Sequence, residues 1–592
     1  MIHKQRNTVV LIGTLLASAS IYTVMARLHP TNGIMPVAGF LGLMALLFAL
    51  YAVASLAVAG LGHRPALLIV FTGAVLFRII LLPAGSANED VTPTASLRGD
   101  LRGTHVGFDR FLLFDNDIWR YVWEGHVGAH GLNPFALAPA NAALDRLTDT
   151  RSASSDQRQT WADIRDNVSY QDVPTIYPPL AQATFRLAHG IAPGSVLMMK
   201  SLIVVVDVLA IGVLTLALCA HGRPPASVVL YAWNPLVIKA FAGSGHIDAV
   251  AVLFVASLLW SIGRWRWLAA ASLAMAVLAK LTPLVLLPLV ARRIGWKPTV
   301  LALVIVLAGF APFASAGSHV FDGLRTFAAF WRFNGGPFEF VRWAFGHAGA
   351  ANDASARAVC AALALAVCAV IAWRDDGRPE TFAAAGALTL GAVVVFSPAV
   401  MPWYLTLVLP LAVVSRQDAW LAGSALACLA FLVMIDGVQR PAALFAEYGL
   451  FALVALRTPL AQALRRTACY LRTATASLAA PAMLALLLLV PAHASAQGSG
   501  SLGAGPGAFT VTMSFSGTVA EVASDPNTFT VRDKKGKEHQ FKVSDQSTFT
   551  REEKGSGKKK VSFTDVAVGS VVKVSYRASD EVAIDVRITP SE

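Results

Sequence analysis

Met35-Pro-Val-Ala-Gly-Phe-Leu-Gly-Leu-Met-Ala-Leu-Leu-Phe-Ala-Leu-Tyr-Ala-Val-Ala-Ser-Leu-Ala-Val-Ala-Gly60 runs for 26 residues without a charge. As a helix it is long enough to cross the roughly 30 Å hydrocarbon core of a bilayer, and it has no polar face to turn toward water. The chain repeats this pattern. Apolar runs predict 13 spans, at about Thr8–Ala26, Met35–Gly60, Ala66–Pro83, Val196–Ala220, Ala226–Ala242, Ile247–Ile262, Thr299–Ala316, Ala356–Trp373, Thr381–Pro398, Trp403–Val414, Ala419–Ile435, Leu444–Leu456 and Thr475–Ala492. Trp267–Arg293 reads as a re-entrant hairpin turning at Lys280–Pro283, because a single span there would leave Arg292 and Arg293 outside. The 592 residues are 55% hydrophobic and 14% charged, whereas a soluble chain is roughly 25% charged, so a soluble enzyme is excluded.

With Met1 inside, 16 basic residues against four acidic ones fall in inner loops, as the positive-inside rule requires. That distribution accounts for the formal charge of +12, and nucleic-acid binding is not inferred. The five cysteines lie in or beside apolar runs with no ligand-like spacing, which argues against a disulfide framework or a zinc site. The same topology puts Ala84–Gly194 outside as one long loop with 13 acidic and nine basic residues. Smaller outer segments are Gly243–Asp248, Gly317–Ser355, Ser397–Pro402 and Asp436–Ala443, and together they could roof one cavity.

Near residue 500 the chain changes character. Residues 1–472 form the multi-span domain. Residues 473–496 combine Arg465, Arg466 and Arg472 upstream with an apolar stretch and Ala494-Ser-Ala496, and read as a final span or signal-like segment. Residues 497–507 are a Gly/Ser linker. Residues 508–592 hold 13 Lys and Arg and 12 Asp and Glu, with apolar–polar alternation over Phe509–Phe515, Thr518–Val522, Thr528–Val531, His539–Val543, Val571–Tyr576 and Ala583–Ile588. This predicts an extracytoplasmic small all-β barrel or sandwich of five or six strands, with Gly555–Lys560 a solvated loop. The fold class is therefore an all-α polytopic membrane protein followed by a small β domain.

Asp115-Asn-Asp-Ile-Trp-Arg-Tyr-Val-Trp-Glu-Gly125 is the densest chemical constellation. On a helix over Asp117–Val127, helical spacing places Asp117, Arg120, Tyr121 and Glu124 on one face, so acids and a cation point at one volume. An interfacial amphipathic helix with a Trp/Tyr belt would show similar spacing. Other cations are His246, Lys239, Lys280, Arg325, Arg332 and Arg342. Asp248 could orient His246, or the His-Asp pair could cap the following helix, and Lys239 reads as snorkelling to outer headgroups. Trp331, Phe333, Phe338, Trp343, Trp403 and Tyr404 could guide an isoprenoid chain or stack on sugar, as interfacial aromatics in any membrane protein also cluster.

DNDIWRYVWEG, GLNPF, TIYPP, WNPLVIKAFAGSGHIDA, KLTPLVLLP and SPAVMPWYLTLVLP resemble, in that order from Phe111 to Pro410, recurring motifs of bacterial polyprenyl-phosphate-sugar mannosyltransferases of the GT-C superfamily of multi-span glycosyltransferases. The resemblance implies hexosyl transfer, with mannose the expected sugar, to an envelope lipid or glycan acceptor on the outer face of the cytoplasmic membrane. It implies a catalytic Asp base at Asp117, with Asp115 and Asp109 as competitors. This chain has Glu124 where Asp is usual and Asn116 where a second acid often precedes. The implied donor and phosphate contacts are Arg120, Tyr121, Glu124, Tyr177, His246, Asp248, Lys280, Trp403 and Tyr404. The lipid-phosphate sugar is a substrate, so no resident cofactor is expected, while a divalent metal stays open. Two other functions fit the composition: a secondary transporter with broken helices at Gly243–Asp248 and Lys280–Pro283, and a membrane scaffold for an envelope assembly acting through its tail.

Overall fold

The computed structural model of the chain describes residues 2–27, 34–61, 63–84, 116–148, 155–345, 350–435 and 439–473, and then, in the tail, 512–524, 527–532, 538–544, 547–553, 557–577 and 582–589. Asp109, Asp115, the segment 474–496 and the linker 497–507 lie outside the described residues.

Among the described residues seven helices are long and apolar enough to cross a membrane, or eight if the bent pair Pro225–Ala232 and Pro235–Gly243 counts as one span. They coincide with seven of the apolar runs. The count of 13 is not reproduced, and the reason is local. Ala226–Ala242 bends by 59°. Ile247–Ile262 and Thr381–Pro398 form helices of only 14 and 17 residues, Asp248–Ser261 and Pro379–Val395. Trp403–Val414 splits into the 3-10 turn Pro402–Leu407 and the short helix Leu409–Ser415. Leu444–Leu456 sits inside the 33-residue helix Pro441–Thr473. Hydropathy counts apolar residues; it does not see Asn234-Pro235, Gly243–Gly245 or Met401-Pro402 interrupting the hydrogen-bond ladder. The Trp267–Arg293 stretch becomes helix Arg266–Ala279, a 3-10 turn Thr282–Leu286 and helix Leu287–Ile294, broken where Lys280 takes an extended conformation (φ −154°, ψ 132°).

The deepest polar contact joins two of the spans. Arg78 on helix His63–Leu81 and Asp207 on helix Val196–Ala220 have no exposed side-chain surface. Arg78 Nε donates to Asp207 Oδ2 at 2.6 Å, and its Nη1 donates to the Ala74 and Ala232 carbonyls. Tyr231 Oη donates to the second carboxylate oxygen at 2.7 Å. An isolated charge in an apolar interior is very costly, so each of these groups needs the other.

The tail is a seven-stranded sheet in the order β3-β2-β1-β6-β7-β4-β5, with β1 Thr512–Ser524, β2 Asn527–Arg532, β3 Glu538–Lys542, β4 Thr548–Glu553, β5 Gly557–Val561, β6 Val571–Arg577 and β7 Val582–Thr589. A further parallel bridge from β3 to β7 curls it toward closure. Phe529, Val531, Phe541, Phe549, Val572, Val574 and Val586 fill its interior. Two expectations are corrected. The first two strands are one long strand with a bulge between Val519 and Glu521, and the lysine run expected in a loop is strand β5, paired with β4 from Phe549–Val561 to Glu553–Gly557. The three lysines hid an edge strand, where lysine is common because it discourages further pairing.

Asp207→Ala leaves Arg78 buried without its counter-charge and should cost about 3–5 kcal/mol, read as a lower unfolding midpoint of the full chain in lipid nanodiscs. The pair Arg78→Met with Asp207→Leu should recover most of that loss. A double variant no better than Asp207→Ala would contradict the pairing.

Candidate functional site

Helix Asp117–Ala129 packs against helix Pro179–Ile191 closely enough that a Cβ on Gly125 would lie 2.5 Å from the Phe185 carbonyl. Glu124, 2% exposed, fastens the two. Its Oε2 accepts from Thr175 Oγ1 at 2.7 Å and from Gln182 Nε2 at 2.6 Å, and its Oε1 accepts from Arg120 at 3.2 Å. Thr175 in turn accepts from the Tyr177 backbone N–H at 3.1 Å. The TIYPP run is thus a turn tied to Glu124, with Pro178 capping and Pro179 opening the next helix. Burial raises the Glu124 carboxyl above its ordinary range, and the three donors oppose this. Arg120 spends its remaining donors on the carbonyls of Ser169, Tyr170 and Val173, at 2.8 to 3.1 Å. It braces the loop beneath the helix.

The second half of the site comes from the bent pair. Trp233 Nε1 donates to the Val70 carbonyl, Asn234 Oδ1 accepts from the N–H groups of Leu236 and Val237, and Pro235 starts the new helix. The turn widens to a π-helix over Lys239–Gly243, and the His246 N–H closes onto the Ala240 carbonyl at 3.0 Å. Gly245 has φ +73°, and a Cβ there would meet Ile118 Cδ1 at 2.6 Å and Lys200 Cγ at 2.9 Å. Glycine is required for both conformation and space, because this is where the turn touches the start of the Asp117 helix.

At that contact Asp117 Oδ2 lies 3.7 Å from His246 Nδ1. Asp117 is 37% exposed and His246 is fully buried. The His246 ring lies flat on Trp403, with centroids 3.8 Å apart and planes 20° apart. Beside it Asp248, the first residue of helix Asp248–Ser261, pairs with Lys280, whose Nζ sits 4.1 Å from the Tyr404 ring centroid. Two acid–base pairs, Asp117 with His246 and Asp248 with Lys280, therefore rest on two adjacent aromatic rings. Tyr121 packs behind them, stacked on Phe185 at 4.6 Å and edge-on to Tyr177 at 5.0 Å. Burial, then the neighbouring Tyr177, Asp117 and Asp248, hold its hydroxyl well above the ordinary value, so it stays protonated.

Asp117, His246, Asp248, Lys280, Trp403, Tyr404, Tyr121 and Tyr177 are thus brought together, while Arg120 and Glu124 lie one layer back as the brace. Neither His246 nor Asp248 caps a helix by its side chain. Lys239 does not snorkel: it is 1% exposed with Nζ 4.6 Å from the Phe431 ring centroid. Arg325 is exposed and pairs with Asp322, and Arg332 and Arg342 share Glu339 and Asp353. Among the described residues no three His, Cys, Asp or Glu side chains converge as metal ligands. Sequence reasoning missed Gln182, whose four-residue spacing from Pro178 gives no chemical hint, and the Arg78–Asp207 pair, which two opposite charges inside apolar runs did signal.

The comparison with known families bears on this arrangement. Residues 111–295 match the family model described as alpha-(1->6)-mannopyranosyltransferase, N-terminal domain. The match takes in Asp117, His246, Asp248 and Lys280, and it supports mannose transfer by a glycosyltransferase. Neither the curated proteins nor the solved structures contain a match to the chain.

On the far side of the same helix His126 stacks on Trp161 at 3.6 Å, with the His130 and His189 ring centroids 4.4 and 5.1 Å away. Nε2 of His126 bonds the Leu147 carbonyl, and the Nδ1 atoms of His126 and His189 are buried without a hydrogen-bond partner among the described residues. The nearest charges on the packed elements are Arg165, paired with Asp145, and Arg186, which lies along Gly128. Burial and mutual repulsion lower His126 from 6.5 to about 3 and His189 to about 4. Below about pH 6.5 the unfolded segment takes up protons that the folded one cannot hold until far lower pH, so stability falls as pH drops. Hydrogen-exchange protection of residues 116–191 should decline between about pH 7 and about pH 4.5, and His126→Gln should flatten that decline. Unchanged protection at the acid end would refute this.

Proposed function

We propose that the protein transfers mannose from a polyprenyl-phosphate donor to a lipid or glycan acceptor of a bacterial envelope, on the outer face of the cytoplasmic membrane. The observation that carries this reading is the half-exposed Asp117 carboxylate set 3.7 Å from the buried His246 ring, beside the Lys280–Asp248 pair. An exposed carboxylate at a helix N-terminus stays ionised and can accept a proton. A fixed cation a few ångströms away can meet charge that develops on a departing phosphate.

In the proposed single displacement the acceptor hydroxyl loses its proton to Asp117 as its oxygen bonds the anomeric carbon. The bond from that carbon to the phosphate oxygen breaks, and polyprenyl phosphate leaves as an anion. His246 and Lys280 stabilise the leaving group, and Trp403 and Tyr404 give them a dry, rigid backing on which a cation is favoured. Tyr121 and Tyr177, packed edge-on against each other, support the centre from behind. No second catalytic carboxylate is needed, because the phosphate already activates the sugar. The positive-inside pattern supports an outer site, and the ion pair of Arg587 with Asp166 at 3.2 Å supports a β domain on the same face.

Asp117→Asn keeps the size and helix position but removes the proton acceptor, so transfer of labelled mannose from lipid phosphate should fall by a factor on the order of 100 or more, with the unfolding midpoint unchanged. If Asp117→Asn stays active while Asp115→Asn or Asp109→Asn is inactive, the base is elsewhere in the motif. His246→Ala should lower turnover, and Arg378→Ala, on the inner side of the proposed topology, should not.

A further inference from the structure

Trp403 owes its place to residues far from it in sequence. The strand-like segment before it, Pro398–Val400, pairs with Phe333: the Phe333 N–H donates to the Pro398 carbonyl at 2.9 Å and the Val400 N–H donates to the Phe333 carbonyl at 2.7 Å. Phe333 and Met401 then share one apolar cluster with Trp403 and Tyr404. A two-residue pairing on its own is a weak anchor.

The neighbour of Phe333 supplies what the pairing lacks. Asn334 is 4% exposed and has φ +52°, a conformation that costs energy in a residue with a side chain and persists only when its surroundings impose it. Three polar handles on it, the side-chain amide nitrogen, the carbonyl and the N–H, are held by the start of helix Pro441–Thr473 or the residues leading into it. Its Nδ2 donates to both oxygens of Glu447 at 3.0 Å, its carbonyl accepts from Tyr448 Oη at 2.7 Å, and its N–H donates to Gln439 Oε1 at 3.3 Å. Glu447 is 6% exposed, so this bond is made out of water, where an unmade partner is expensive. Gly335 and Gly336 let the loop close: a Cβ on the first would meet the Ser397 and Pro398 carbonyls at 2.8 and 2.9 Å, and on the second the Tyr448 ring at 2.6 Å.

We infer that Glu447 and Asn334 are positioning residues for the transfer centre: their clasp fixes the Phe333–Val400 pairing, and through it the plane of Trp403 against His246. This rests on the reading of His246 as part of that centre. A carboxylate in helix Pro441–Thr473 thereby sets the backing of an imidazole supplied by the turn Gly243–Asp248.

The test uses the full chain in lipid nanodiscs. Asn334→Gly keeps the backbone conformation and removes only the amide; Glu447→Ala removes the other partner. Each should lower kcat roughly tenfold to a hundredfold with little change in donor KM, since a small misplacement of a catalytic group acts on the chemical step. Trp403→Ala should do the same, and Trp403→Ala combined with Asn334→Gly should be no worse than Trp403→Ala alone, because both remove one interaction. Glu447→Gln, which still offers an oxygen to Asn334, should retain most activity. A readout without turnover is the quenching of Trp403 fluorescence by the His246 ring stacked on it, taken as the rise in emission that His246→Ala causes in the native chain and does not cause in Trp403→Phe. Asn334→Gly should abolish that rise. Multiplying losses, or a lowered unfolding midpoint with kcat and quenching intact, would overturn the clasp. A chain that transfers no mannose yet shows the clasp-dependent quenching would instead refute the proposed reaction.

Discussion

An arginine and an aspartate without any exposed surface, 2.6 Å apart between two membrane helices, set the frame on which the rest of the helical body depends. Neither can be tolerated alone in an apolar interior, so helices His63–Leu81 and Val196–Ala220 must meet at that depth and in that rotation. The same contact reaches a third element, because Tyr231 donates to Asp207 and the Ala232 carbonyl accepts from Arg78. Two residues later Asn234 caps the helix that leads to the π-turn and His246. The first turn of helix Val196–Ala220 carries Lys200, which donates to the Ala84 carbonyl at 2.7 Å and packs beneath Gly245. A buried charge pair thus fixes both ends of the segment that presents the site.

How much of this was legible follows from what each signal measures. Apolar runs located the seven long helices well, because a span is defined by length and composition. They part from the count of long helices where the backbone is broken inside an apolar stretch, since Asn234-Pro235 and Met401-Pro402 change hydrogen bonding without changing hydropathy. In the tail, alternation found β1, β2, β3, β6 and β7; it missed β4, where Phe549 is the one large apolar residue, and β5, whose lysines carry no apolar signature.

For the candidate site, the motifs named residues that the structure brings together but not their layers. Helical spacing placed Asp117, Arg120, Tyr121 and Glu124 on one face, and they do share it, yet Asp117 is the most exposed of the four, with Arg120 at 12% and Tyr121 and Glu124 buried. Arg120 and Glu124 are consumed by Ser169, Tyr170, Val173, Thr175 and Gln182. Spacing along one helix says which side chains point together; it cannot say which of them the next element will cover. The pairing of His246 with Trp403 was out of reach for a different reason, as more than 150 residues separate them and no local pattern links them.

The division along the chain has a chemical logic. The stretch that matches the mannopyranosyltransferase model, residues 111–295, contains every charged group of the centre. The residues beyond it contribute rings and braces: Trp403 and Tyr404 as surfaces, with Phe333, Asn334 and Glu447 behind them. Charges must be held to a fraction of an ångström to act on a transition state, and that is easiest on one compact set of helix ends. Aromatic backing tolerates more variation in where it comes from, since its job is to exclude water and present a flat face. In the proposed reaction electrostatic work and dielectric work therefore fall to different halves of the chain, and the later half would govern how strongly the charges of the first half are felt.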